Sequence, residues 1–337
     1  MIRRFMSLLI DNLLSPVVLC FALGITARVV RSDLTVPEPI YQGISIYLLL
    51  AIGLKGGSAL AVTPPGEFLL PAVATLLLGV VSPLIAYAAM RRIGRLEVAD
   101  ASAVAAHYGS VSVVTYLAAS EAVARIDLAA EAFLPALVAL LEVPGIVIAL
   151  LFASSLSRPL PPGADPAGSH TRGGWKRALH EVLAGKSIVL LVGGLVIGAL
   201  CGPERLEEVQ PFFGVAFKGM LCLFMIELGL AAGRRLPDAA RAGVRLLLLG
   251  CLLPVVLGIL GVVAGALAGM SVGGAAVLGA MGASASYIAA PAAVRVALPQ
   301  ANPAYYLTLA LGITFPFNLT IGIPLYIKLA MWIPSMS

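Results

Sequence analysis

A chain of 337 residues that is 60% hydrophobic and 12% charged, with a mean hydropathy of +1.01, excludes a water-soluble domain, in which about a quarter of residues are charged. Its apolar stretches recur along the whole length without strand-like alternation, which excludes an outer-membrane barrel and leaves an all-α integral membrane protein whose backbone groups are satisfied within helices. The net charge of +5 comes from Lys and Arg scattered over short loops with no basic arm, so it reflects membrane orientation and not nucleic-acid binding.

Taken in order, Arg3-Arg4 and the apolar run after them resemble a signal sequence. No clear small-residue cleavage site follows, so the run reads as an uncleaved first helix. Ten membrane segments are expected, at about 13 to 30, 40 to 57, 68 to 90, 101 to 120, 132 to 154, 185 to 201, 211 to 232, 244 to 268, 273 to 298 and 303 to 332. The connections between them hold Pro, Gly and charge, and one is long. Ser155 to Ala184, with Pro159, Pro161, Pro162, Pro166 and several Gly, reads as a flexible linker between residues 1–154 and residues 185–337. With both termini outside, the inward loops and the linker hold 15 Lys and Arg against six on the outer segments, so the linker is expected in the cytoplasm and the protein in the inner (plasma) membrane.

Five segments on each side of the linker make the two halves enter the membrane in opposite senses, and short matches recur in the same order. Ile52-Gly-Leu-Lys-Gly-Gly57 lines up with Leu228-Gly-Leu-Ala-Ala-Gly233, and Leu69-Leu-Pro71 with Leu252-Leu-Pro254. Gly109 with Tyr116-Leu-Ala-Ala119 lines up with Gly282 and Tyr287-Ile-Ala-Ala290, and Leu141-Glu-Val-Pro144 with Ile313-Thr-Phe-Pro316. The pattern is a 5+5 inverted repeat, in which the fourth helix of each repeat is discontinuous.

Those breaks are the candidate substrate site. A broken helix presents unpaired N–H groups and a positive dipole end to an anion near the bilayer midplane. Gly109 and Gly282 permit close backbone approach, and Ser110, Ser112 and Thr115 with Ala283, Ser284, Ser286 and Tyr287 line the interrupted stretches. The alternative is that these small residues serve helix packing alone. No Lys or Arg lies inside either break, so the ligand would be a small, weakly charged anion.

Acids within the membrane are costly and are functional candidates by default. Glu142 lies two residues before Pro144, its repeat equivalent is Thr314, and Asn318 follows one turn later. With a carbonyl loosened by proline they form a hard oxygen set suited to Na⁺, or Glu142 is protonated and bonds a neighbouring helix. Asp100 opens the helix leading to the first break, as an ion ligand or a first-turn acid. Glu227 and Lys218 are nine residues apart, face opposite ways and need partners elsewhere. His107, near the break, reads as a pH-sensing group or a packed core residue. Cys20, Cys201, Cys222 and Cys251 lack metal-ligand spacing, and no cofactor beyond a coupling Na⁺ is expected. No zinc-protease, nucleotide-binding or paired-Asp pattern occurs, so a membrane enzyme, like a non-transporting sensor, stays a minor alternative to a Na⁺- or proton-coupled carrier.

At the breaks the chain resembles the sodium-dependent bicarbonate transporter family, best known from cyanobacteria. The likeness rests on Gly109-Ser-Val-Ser112, Glu142-Val-Pro144, Gly282-Ala-Ser-Ala-Ser286, Leu298-Pro-Gln-Ala-Asn-Pro303 and Ile323-Pro-Leu325, with Asp100 and Glu131 in matching places. The resemblance implies Na⁺-coupled bicarbonate uptake, a homo-oligomer, specifically a trimer, an elevator-like movement of a core against a gate, and a PII-like regulatory partner. The chain departs from the family pattern at Tyr287, where cyanobacterial members carry Asp, and at Val113 and Val114, where they carry small or hydroxyl residues.

Overall fold

The computed structural model describes residues 2–156, 180 and 183–333, and the described residues are helical with no strand. The expected linker lies mostly outside the described residues. Five described helices are long and apolar enough to cross a membrane: Glu38–Val62, Pro65–Arg92, Lys186–Val209, Val244–Leu267 and Pro303–Trp332. Large apolar side chains cover their outward faces, among them Leu69, Leu77, Val189, Val196, Leu252 and Val256. An outside as apolar as this has lipid as its solvent, so the chain is a multi-pass membrane protein.

The apolar run expected after Arg3-Arg4 as one uncleaved first helix is two helices, of which the second covers the segment placed at about 13 to 30. Ser15 interrupts the run, accepting a hydrogen bond from Val18 N at 3.2 Å while Pro16 takes the first helical position, which starts a new helix. The result is α1 (Ile2–Leu13) and α2 (Pro16–Val29). Next come α3 (Glu38–Val62) and α4 (Pro65–Arg92). The fourth segment runs as α5 (Val98–Tyr108) and α6 (Val113–Arg125), and the fifth as α7 (Leu134–Glu142) and α8 (Pro144–Leu156). The second half holds α9 (Lys186–Leu206), α10 (Phe217–Arg241), α11 (Val244–Leu267), α12 (Val272–Gly282) and α13 (Ala289–Ala297). It ends with α14 (Pro303–Trp332), whose middle widens into π-helical turns at Thr308–Thr314 and Asn318–Gly322 around Pro316. Proline cannot donate to the preceding turn, and a wider turn relieves its clash.

Two packing groups organise these helices. In the first, α3 lies along α9 and α2 along α10. Glycine makes both approaches possible, since a Cβ at Gly57 would sit 2.0 Å from the Leu195 carbonyl oxygen and one at Gly24 2.1 Å from that of Ile226. Lipid gives helices no hydrophobic incentive to associate, so close backbone contact supplies the attraction. In the second group α4 packs on α5, α7 and α8, while α11 packs on α12 and α14, and α4 and α11 touch each other. The two groups meet where α3 contacts α7 and where α10 contacts the π-helical part of α14.

Candidate functional site

The chain leaves helical geometry between Tyr108 and Val113 and again between Gly282 and Ala289, and the two irregular stretches bond to each other. Ser286 N donates to the carbonyl oxygens of His107 at 2.8 Å and Ser110 at 3.1 Å, which satisfies acceptors left open where α5 ends. In return Ser112 N donates to Ser284 Oγ at 2.8 Å, and Ser284 Oγ donates to Met281 O at 2.6 Å, where α12 ends. Ser112 also caps α6, its hydroxyl accepting from Thr115 N at 3.2 Å. Ser286 Oγ accepts from Ala290 N at 3.4 Å in the first turn of α13. The fold brings Ser110 and Ser112 of the first half together with Ser284 and Ser286 of the second. Their backbone groups are the ones that interlock.

The glycines and Thr115 have separate surroundings. A Cβ at Gly109 would lie 2.7 Å from Gly145 Cα and 2.9 Å from Pro83 Cβ, so the end of α5 rests directly on α8 and α4. Gly282 faces Leu78 on α4 and the Leu257 carbonyl on α11. Thr115 is buried in the first turn of α6. Ala283 offers its carbonyl to Asn318 Nδ2 at 2.9 Å. Tyr287 packs edge-on to Phe315, with centroids 5.4 Å apart, and its buried hydroxyl faces Ser112 without a well-aligned hydrogen bond.

The cation candidates divide three ways. Asn318 reaches the second break through Ala283 and lies 3.0 Å from the Tyr326 hydroxyl, which is equally close to Pro254 O. Thr314 connects to the first break: the Tyr108 hydroxyl donates to Thr314 Oγ1 at 2.5 Å, and Thr314 Oγ1 donates to Gly250 O at 2.8 Å. Glu142, 1% exposed, ends α7 three residues before Gly145, and its Oε2 has no partner. Asp100 lies elsewhere. It sits in the first turn of α5, about 12 Å along the helix from Tyr108, and accepts from Asn302 N at 2.7 Å.

Buried polar atoms without partners occur in and near the first break: Ser110 Oγ lies in it, His107 Nε2 belongs to the last turn of α5, the Tyr287 hydroxyl faces Ser112, and Glu142 Oε2 ends α7, three residues before the Gly145 that meets Gly109. The His107 ring lies tilted against that of Tyr306, with centroids 4.6 Å apart, and its Nδ1 donates to Ala103 O at 2.7 Å, so Nε2 keeps a bare lone pair. Buried polar atoms are rarely left unpaired. Here they are a carboxylate oxygen and two hydroxyls, groups that suit a hard cation, and an imidazole nitrogen able to take a proton. The first turn of α6 meanwhile leaves the N–H groups of Val113 and Val114 without helical acceptors, as every helix start does.

Sequence reasoning did not foresee Tyr108, Tyr326 or Glu131 as supporting groups. Tyr108 directly precedes the break glycine, which is a local signal, whereas Tyr326 matters because the π-helical turns swing it back to Asn318. Glu131 Oε1 accepts from Ser271 N at 2.5 Å and sets a carboxylate at the start of α12. The two membrane charges left without partners by the sequence both find them: Glu227 pairs with Arg234 at 2.7 Å, and Lys218 pairs with Glu121 across α10 and α6.

A search of curated proteins returns no match for the chain. A family profile, described as the Na⁺-dependent bicarbonate transporter superfamily, matches residues 16–331, and the match runs from α2 to the end of α14. This helical membrane protein, with two interlocked helix breaks and matched over nearly its whole length, belongs to the Na⁺-dependent bicarbonate transporter superfamily and is a transporter, not an enzyme.

Proposed function

We propose that the chain moves a small anion, bicarbonate or one like it, into the cell together with Na⁺, binding the anion between the two breaks and the cation beside Glu142. The observation that supports this most is the reciprocal bonding of Ser112 with Ser284 and of Ser286 with Ser110, with Ser110 Oγ in the break and Glu142 Oε2 at the end of α7 both buried and without a partner. The α6 N-terminus supplies N–H donors and a positive dipole end for the anion, while Glu142 and Ser110 supply hard oxygens for Na⁺. Thr314 and Asn318 hold the breaks against α14 in this reading, and Asp100 secures the start of α5.

The 5+5 inverted repeat is supported by packing that recurs with the halves exchanged. α3 lies on α9 as α10 lies on α2, α4 on α5 as α11 on α12, and α8 on α5 as α14 on α12. Ten crossings follow, with α5–α6 and α12–α13 as the discontinuous fourth helices. The separate groups α2, α3, α9, α10 and α4–α8, α11–α14 fit a gate and a core that slide past one another as an elevator, in a homo-oligomer, specifically a trimer, of the inner membrane. The charge distribution supports outer termini and a cytoplasmic linker, the side on which a PII-like regulator would dock.

Uptake of labelled bicarbonate into proteoliposomes, with and without an inward Na⁺ gradient, tests the reading: Na⁺-dependent accumulation is expected, and absence of uptake for every small anion tried refutes it. The unpaired Glu142 carboxylate supports a second reading, proton coupling. Under it, uptake follows the pH gradient and ignores Na⁺.

A further inference from the structure

A cavity of about 200 Å³ lies outside the breaks, between α3, α6 and α10, and Lys55, Tyr116, Ser120, Glu121 and Lys218 contribute to its wall. At about 30 Å³ per water it has room for a small anion with part of its hydration shell. A second cavity of about 410 Å³ adjoins it on the other side of α3, and Lys55 lines both.

Lys55 is unusual for a residue of a spanning helix. It sits seven residues, about 10 Å, before the end of α3, and its ammonium is exposed with no ion pair or hydrogen bond among the described residues. The acid on the 200 Å³ cavity is already compensated, because Glu121 pairs with Lys218 and lies 4.0 Å from Arg125. Glu207, on the larger cavity, is the other acid near Lys55. The smaller cavity therefore carries one uncompensated positive charge together with the hydroxyl-bearing side chains Tyr116 and Ser120. Tyr116 stands on α6 about 6 Å along the helix from its cap, Ser112.

We infer that this cavity is an anion-collecting vestibule on the route to the breaks, and that Lys55 is its selectivity residue, attracting the anion while disfavouring the coupling cation. The inference rests on the anion-uptake reading above. A low-dielectric cavity wall focuses the field of a single charge and raises the local concentration of ions of opposite sign. The same field acts against Na⁺, and the two ions therefore respond with opposite sign to removal of the charge.

The test is initial-rate uptake of labelled bicarbonate in proteoliposomes at low ionic strength, with wild type, Lys55→Gln and Lys55→Arg. Lys55→Gln is expected to raise the KM for bicarbonate roughly three- to fivefold, with the KM for Na⁺ unchanged or lower and the maximal rate preserved. Lys55→Arg retains wild-type values, and added salt erases the difference as the Debye length shrinks below about 10 Å. A structural defect raises both KM values together, which overturns the inference, as does an unchanged bicarbonate KM in Lys55→Gln. Wild-type protein that takes up no bicarbonate refutes the transport reading itself, and the vestibule with it.

Discussion

Ser284 has the most demanding position of any single residue, because its hydroxyl both receives Ser112 N and gives its proton to Met281 O. Ser284→Ala leaves a buried N–H without a partner, at a cost of about 1–3 kcal/mol. A lowered unfolding temperature in detergent is expected, together with reduced uptake; wild-type values for both would show that the interlock is not needed. Glu142 makes the complementary case, since its Oε2 has no protein partner to lose. Glu142→Gln is expected to keep thermal stability and lose coupling. If the carboxylate contributes about 3 kcal/mol to a bound cation, the KM for Na⁺ rises roughly a hundredfold. Unaltered Na⁺ dependence in Glu142→Gln would remove Glu142 from the ion site.

Two elements depend on the absence of a side chain. On α3, any Cβ at Gly57 meets the backbone of α9 at 2.0 Å, so nothing flexible can yield. Gly57→Leu is expected to separate α3 from α9 and to convert a single symmetric peak in detergent size-exclusion chromatography into aggregate, whereas Gly66→Leu, with open space around it, leaves the profile unchanged. At the start of α12, a Cβ on Gly274 would fall 1.6 Å from Glu131 Oε2. Gly274→Ala therefore expels the carboxylate that receives Ser271 N and removes a favourable charge at the helix start, worth up to about 2 kcal/mol in a partly buried setting. A thermal-shift measurement checks this: Gly274→Ala should lower stability, and adding Glu131→Ala to it should cost little more, because the contact has already gone.

At the scale of the molecule, Lys218 and Glu121 connect the group holding α10 to the group holding α6. If the two groups slide during transport, this tie must open. In a background lacking Cys20, Cys201, Cys222 and Cys251, cysteines at positions 121 and 218 joined by a crosslinker are expected to halt uptake and to release it on reduction; unimpeded transport by the crosslinked protein argues against sliding along this seam. The all-helical membrane character was legible in the sequence, because hydropathy acts locally. The ion-pair partners were not, since Glu121 and Lys218 are 97 residues apart and only the packed fold adjoins them. The same holds for Asp100 with Asn302, 202 residues apart, and the separation of α1 from α2 at Ser15 was not expected either. Nor does sequence distinguish a hydroxyl that faces a ligand from one already bonded to backbone: Ser110 Oγ is open and Ser284 Oγ is occupied, from two stretches that read alike.

The His107 ring is held at one nitrogen by Ala103 and against one face by Tyr306, leaving Nε2 bare beside the first break. That arrangement makes it a native spectroscopic probe. In a chain with three histidines, isotope-labelled imidazole gives a spectrum simple enough to assign by single substitutions. Arrival of a proton or cation at the break should register as a large change in the Nε2 resonance and a much smaller one at Nδ1.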